Sequence, residues 1–250
     1  MASRVAGVET RPEGATAAFL LIHGFCAAPD EVRTLGEYLA ERNIASFAVQ
    51  VAGHNTTPED LKATTWQDWL QSVEDGLQRV RAWNPDRLLV CGLSAGGALT
   101  VMLASRNEDL DGVVLIAPAL RLFGVLPRLV PILKHLMPYR SIDVEKAQEV
   151  YDIKRTKYDR EPVSSYHELI KLQKHARDAL SRITVPALII QGKEDKTISP
   201  ENGQIAFNGI ASKTKKLEMI DGAEHVIPCH YTRREAYGYI GQFLSDNFGI

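Results

Sequence analysis

Gly92-Leu93-Ser94-Ala95-Gly96 joins an apolar run to a stretch of small residues, and this junction restricts the chain to few folds. Arg87-Leu88-Leu89-Val90-Cys91 reads as a short buried strand and 95–105 as a helix. A reversal this sharp brings strand and helix backbones together, so Gly92 and Gly96 stand where any Cβ would collide. Ser94 is then lifted out of the sheet at a helix N-terminus, where backbone N–H groups and the helix dipole favour negative charge. That placement suits the nucleophile of an acyl transfer.

The rest of the chain repeats the same rhythm. Strands are expected at Ala17–Ile22, 45–51, 112–117, 186–191 and Lys215–Ile220, and helices follow most of them. Pro29-Asp30-Glu31 reads as the first turn of a helix, with proline and acids near its N-terminus and Val32, Leu35, Tyr38 and Leu39 on its apolar face. A helix starting near Thr65 carries a buried stripe of Trp66, Trp69, Leu70, Val73, Leu77 and Val80. A closing helix is expected over 232–247. Strands alternating with helices imply a mostly parallel sheet covered on both faces. Between 119 and 179 the rhythm breaks into helix-like pieces separated by Pro127, Pro131, Pro138 and Pro162. This segment is expected to be an inserted helical cap, with residues 1–118 and 180–250 forming the core.

With 250 residues the chain can build one sizeable core, and its net charge of −2 argues against nucleic acid or an anionic membrane as an obligatory partner. Cys26, Cys91 and Cys229 lack metal-ligand spacing and are expected to be free thiols, with a Cys26–Cys229 bridge left open. Phe19-Leu20-Leu21-Ile22 is too short for a secretory h-region, and no run reaches membrane-spanning length, so a cytoplasmic protein is expected.

A serine hydroxyl needs a base to take its proton, and the base needs a third group to orient it. In an open parallel sheet these groups belong on loops at the carboxyl ends of strands. Asp195 follows one such strand and His225 follows the last, giving the chain order Ser94, Asp195, His225. Glu194 and Asp221 are rival carboxylates, and His230 is a rival base with a surface or capping role as its other reading. The oxyanion of the tetrahedral intermediate needs donors, for which the N–H groups of Ala95 and Phe25 are placed. Gly24 permits the turn before Phe25, and His23 ties loops together through its ring nitrogens. His54, His135, His167 and His175 read as structural or surface residues, and Trp66 and Trp69 as core.

Leu21-Ile22-His23-Gly24-Phe25, Gly53-His54-Asn55, Thr65-Trp66-Gln67-Asp68-Trp69 and Gly92-Leu93-Ser94-Ala95-Gly96-Gly97 together resemble the small bacterial carboxylesterases and monoacylglycerol lipases of the α/β-hydrolase superfamily. The resemblance extends through Asp195 to Pro200 and Gly222 to Ile227, and it covers most of the chain outside the insert. It implies the α/β-hydrolase fold with a helical cap, and a serine esterase with Ser94 as nucleophile, His225 as general base and Asp195 as orienting acid. It also implies an oxyanion hole from Phe25 and Ala95, no metal or organic cofactor, and a small-molecule ester as substrate. Asn55 stands where the family often has glycine, and Glu224 precedes His225 where glycine is common. Glu224 is expected to face solvent.

Leu122, Leu126, Leu129, Val130 and Leu133 are the candidate pocket residues of the cap, either facing an acyl chain or packing on the core. The expected substrates are esters of short- to medium-chain acids, monoacylglycerols included. Alternatives on the same fold are cleavage of carbon–carbon, lactone or amide bonds, and a low-turnover ligand receptor. A third alternative is a lipase that docks on membranes through 120–137.

Overall fold

The computed structural model describes residues 6–124 and 126–250, without the side chains of Leu126 and Arg128. Strand β1 spans Gly7–Thr10 and β2 Ala17–Ile22, followed by helix α1 (Arg33–Ala40) and strand β3 (Ile44–Val49). Helices α2 (Pro58–Ala63) and α3 (Trp66–Arg81) lead to β4 (Arg87–Leu93), α4 (Ala95–Ala104) and β5 (Gly112–Ile116). The insert then holds α5 (Leu126–Leu136), β6 (Tyr139–Ser141), α6 (Val144–Gln148), β7 (Arg160–Pro162) and α7 (Val163–Ala179). After it come β8 (Ala187–Gly192), α8 (Glu201–Gly209), β9 (Lys215–Ile220) and α9 (Arg233–Phe248).

Seven strands form one sheet in the order β1-β3-β2-β4-β5-β8-β9. Only β1 runs antiparallel to its neighbour, which gives the mostly parallel α/β-hydrolase architecture. Along β2, Ala18, Leu20 and Ile22 pack in one core cluster and Ala17, Phe19 and Leu21 in another. That two-residue alternation, apolar on both faces, is how a strand buried on both sides must read. Helices α3, α4 and α7 cover the first face, and α1 and α9 the second. All six residues of the α3 stripe are buried. Its start is set by a capping box, in which the Thr65 N–H donates to Asp68 Oδ2 at 2.8 Å while the Asp68 N–H donates back to Thr65 Oγ1.

Three expectations are corrected. Pro29 to Val32 form a separate 3-10 turn before α1 rather than the first turn of that helix, and Glu31 is buried there. Its carboxylate finds partners in the tertiary structure that no helix-dipole argument would show. In the insert, Pro131 lies inside α5 instead of separating two pieces. A proline there removes the backbone donor that would otherwise have bonded the carbonyl of residue 127 within the helix. The insert also holds a two-stranded antiparallel sheet, β6 with β7, where only helices were expected. Its helix α7 buries Leu169, Leu172, Ala176 and Ala179 in the same cluster as Val101 and Met102 of α4.

Asn55 adopts φ 55°. This left-handed backbone explains why an asparagine can stand in place of glycine, since its short polar side chain tolerates that region better than other residues do. Among the described residues, no helix is long and apolar enough to cross a membrane.

Candidate active site

Ser94 sits between the end of β4 and the start of α4 with φ 57° and ψ −116°. Few L-residues occupy this region, and holding one there costs about 1–3 kcal/mol. The surroundings enforce it: the Ser94 N–H donates to the Ile116 carbonyl at 2.9 Å, and the Ser94 carbonyl accepts from the N–H groups of Gly97 and Ala119. The flanking glycines are required by contact. A Cβ on Gly92 would lie 2.1 Å from the Gly96 oxygen, and one on Gly96 would lie 2.3 Å from the Ile22 oxygen.

The serine hydroxyl lies 2.8 Å from His225 Nε2, and His225 Nδ1 lies 2.7 Å from Asp195 Oδ2. Because a carboxylate only accepts, Nδ1 carries the proton and Nε2 accepts from the Ser94 hydroxyl. Each residue stands on the loop after a different strand, β4, β8 and β9, as strand-end logic requires. Asp195 Oδ1 accepts from the N–H groups of Thr197 and Ile198, and Oδ2 also accepts from Gln191 Nε2. Burial pushes this carboxyl up, but the His225 hydrogen bond and charge and the two N–H donors outweigh it, and the net direction is downward. Asp195 therefore stays ionised beside the imidazole.

The rival groups lie elsewhere. Asp221 is exposed and pairs with Lys193 at 2.7 Å, and Glu194 is exposed. Glu224 is not fully turned to solvent as expected: its side chain is largely covered and ion-pairs with Lys196 at 2.8 Å, away from the imidazole nitrogens. His230 is buried rather than superficial, with Nδ1 against Thr232 Oγ1 just before α9.

Phe25 follows β2 and lines the cavity at Ser94, and Ala95 opens α4. Among the described residues, neither backbone N–H donates to a protein acceptor, so both are available to an oxyanion. His23 does tie loops together. Its Nδ1 donates to the Gly24 carbonyl at 2.9 Å and its Nε2 accepts from the Val51 N–H at 3.2 Å. The Phe25 ring is held by Trp69 and His54, with centroids 5.9 and 6.1 Å away, and by Tyr166 at 5.0 Å.

His23 and His54 are both buried, with ring centroids 5.3 Å apart. Burial and then the neighbouring His23 push His54 down to about 3, and burial lowers His23 as well. Below pH 6.5 the unfolded chain takes up a proton on His54 that the native state refuses until about pH 3. Stability is thus complete above pH 6.5 and falls as the pH drops through this window. Between pH 6.5 and 4.5 His54 alone removes roughly 2.5 kcal/mol. Urea unfolding at the two pH values measures it, and equal unfolding free energies would refute the buried neutral imidazole.

A cavity of about 530 Å³ opens over Ser94 and His225. Its apolar lining comes from Leu122, Phe123, Pro127, Val130, Leu169 and Ile198. Of the five cap residues expected at the pocket, Leu122 and Val130 line it, while the Leu126 side chain lies outside the described residues. Leu129 is 44% exposed and Leu133 half-buried, and neither reaches the cavity. Leu129 misses because α5 turns it outward together with Ile132 and Leu136.

Sequence reasoning missed a polar part of the same wall: Glu31, Arg140, Arg155, Lys157, Glu161 and Tyr166. Arg155 pairs with Glu31 at 2.9 Å, Lys157 pairs with Glu161 at 3.0 Å, and Tyr166 donates to Glu161. The run of charge over 154–161 reads as a solvated surface, and nothing local distinguishes it from one. Cys26, Cys91 and Cys229 are all free and buried, which closes the question of a Cys26–Cys229 bridge. Among the described residues, no cluster of three or more His, Cys, Asp or Glu could hold a metal ion.

Residues 13–229 match the family described as serine aminopeptidase, S33. The chain is 32% identical over 215 residues to the thermostable monoacylglycerol lipase of Bacillus sp. (strain H-257), covering 85% of this chain and 84% of that protein. It is 25% identical to a carboxylesterase of Bacillus subtilis (strain 168), covering 93% and 94%. Among solved structures, a metagenome-derived lipolytic enzyme superposes with a TM-score of 0.87 at 28% identity, covering 95% of this chain and 97% of that one. The Paleococcus ferrophilus monoacylglycerol lipase shares the fold, with a TM-score of 0.80 at 18% identity over 98% and 100% of the two chains. The chain belongs to the serine aminopeptidase S33 family and is a hydrolase of the α/β-hydrolase fold.

Proposed function

We propose that this protein is a serine carboxylic-ester hydrolase acting on short- to medium-chain acyl esters, monoacylglycerols among them. The observation that carries this reading is the continuous chain from Ser94 Oγ through His225 to Asp195, 2.8 and 2.7 Å long, at the floor of the cavity. In the reaction, His225 takes the Ser94 proton as the hydroxyl oxygen attacks the ester carbonyl. The N–H groups of Phe25 and Ala95 receive the oxyanion, and Asp195 holds the imidazolium that forms. The alcohol leaves with the proton from His225. Water, activated by the same nitrogen, then releases the acid and restores the serine.

The two kinds of wall support a substrate with two kinds of end. Leu122, Phe123, Val130 and Leu169 suit an acyl chain, and the charged pair of Lys157 with Glu161 suits a hydroxyl-bearing alcohol such as glycerol. The names of the Bacillus relatives, a monoacylglycerol lipase and a carboxylesterase, support the same substrate class. In this reading residues 119–179 act as the cap over the reacting ester, while Leu129 and Leu133 have no part in binding it. Three unpaired buried cysteines support a working place in the reducing cytoplasm.

A chain-length series of p-nitrophenyl esters, with monoacylglycerols in parallel, tests the proposal. Turnover that peaks at medium chains is expected. A peak at acetate would remove the acyl-chain assignment of the apolar wall. Folded protein that hydrolyses no ester would move the reaction to amide or carbon–carbon bonds.

A further inference from the structure

Glu31 is a buried carboxylate that the mechanism above does not use. Its Oε2 accepts from the Gly24 N–H at 2.8 Å, and its Oε1 accepts from Arg155 Nη1 at 2.9 Å. Both side chains of the pair are more than nine-tenths buried, at 3% and 7% exposure. Arg155 comes from the cap, where its guanidinium lies 4.9 Å from the Tyr151 ring centroid. Tyr151 in turn accepts from the N–H of Val226, next to His225, and Thr156 donates twice to Asp30. One short stretch of the cap therefore grips both the loop bearing the base and the loop bearing the oxyanion donor.

Gly24 is the most conformationally free residue in that donor loop. The Glu31 bond fixes the peptide before its Cα, and the His23 bond to the Gly24 carbonyl fixes the peptide after it. In a planar trans peptide the N–H points opposite to the C=O. Holding the Gly24 carbonyl and both peptide planes thus aims the Phe25 N–H. The fit is close, because a Cβ on Gly24 would stand 2.9 Å from Glu31 Oε2 and 3.5 Å from Ser94 Cβ.

We infer that Glu31, held by Arg155 from the cap, is a positioning residue for the oxyanion hole. The inference rests on the ester-hydrolase reading and separates from it by experiment. Glu31→Gln keeps the reach to the Gly24 N–H and loses the charge, whereas Glu31→Asp keeps the charge and withdraws the acceptor by one methylene. Misaiming one oxyanion donor lowers kcat by about tenfold or more in Glu31→Asp, with KM within about threefold of wild type. The Ki of a trifluoromethyl ketone, whose serine adduct places an oxyanion in the hole, rises by the same factor as kcat/KM falls. Glu31→Gln retains more activity than Glu31→Asp.

The opposite order of the two variants overturns the inference, because it would mean that charge and not reach matters. So does a loss carried by KM alone, or a fall in kcat with ketone affinity unchanged. Glu31→Gln combined with Arg155→Met keeps the Gly24 acceptor without an unpaired buried charge, so it folds even where a single variant does not. Its kcat is expected to fall, because Arg155 no longer holds the acceptor, but to stay above that of Glu31→Asp, because the acceptor remains within reach of the Gly24 N–H; a loss as large as one whole oxyanion donor, about a hundredfold, overturns the inference. Wild type that neither hydrolyses esters nor binds the ketone overturns the ester-hydrolase reading itself, and this inference with it.

Discussion

Ser94→Ala is expected to lower ester turnover by roughly 10⁴- to 10⁶-fold while leaving the folded structure in place. The loss is this large because the hydroxyl supplies the only nucleophile on the proposed path, and His225 and the oxyanion donors cannot act as a unit without it. Whatever activity remains comes from water held in the same cavity. The fold should survive, since the hydroxyl's protein contact is His225 Nε2 and the strained backbone of the turn is held by main-chain bonds to Ile116, Gly97 and Ala119. Steady-state kinetics together with a thermal melt measure both halves. Near-normal turnover would remove Ser94 from the mechanism, and loss of the melting transition would show that the hydroxyl was structural.

Gly92→Ala is expected to damage the fold itself. The added methyl carbon would stand 2.1 Å from the Gly96 oxygen and 2.3 Å from Thr100 Oγ1, and the Gly96 oxygen is backbone that cannot rotate away. Relief requires moving α4 off β4. Gly92 is paired in register with Ile22 and Leu115, so the strain spreads to both neighbouring strands. A destabilisation of more than about 3 kcal/mol follows, equivalent to a fall in Tm of roughly 6–12 °C for a chain of this size. Gly238→Ala is the control. A methyl group at this exposed position of α9 meets nothing within 4 Å, so it should stabilise by about 0.5–1 kcal/mol. Equal melting points for the two variants would refute the steric account of the serine turn.

Much of the site is legible in the order of residues along the chain, and the reason is local. Gly92, Ser94 and Gly96 encode a turn whose geometry is dictated within five residues. Asp195 and His225 can be placed because a parallel sheet puts its loops at one end. Trp66, Trp69, Leu70, Val73, Leu77 and Val80 declare a buried helix face by spacing alone, and all six are buried.

Other residues resist such reading for an equally physical cause. Glu31 sits three residues into a segment that looks like an ordinary helix start, so its acid reads as a dipole partner. Its actual partners, Gly24 and Arg155, are 7 and 124 residues away in sequence. Leu129 and Leu133 share the apolar character of Val130, yet only Val130 faces the cavity. An amphipathic pattern says that a helix has a face, not which neighbour that face meets.

The amino-acid sequence therefore determined the parallel sheet, the serine turn and the chain order of Ser94, Asp195 and His225, because each follows from short-range stereochemistry and hydrophobic periodicity. Tertiary structure alone decided which charges of the insert turn inward, how Arg155 and Glu31 meet, and which side of α5 closes the cavity. Those outcomes depend on packing between segments far apart in the chain, where a buried ion pair and a solvated one are written with the same residues.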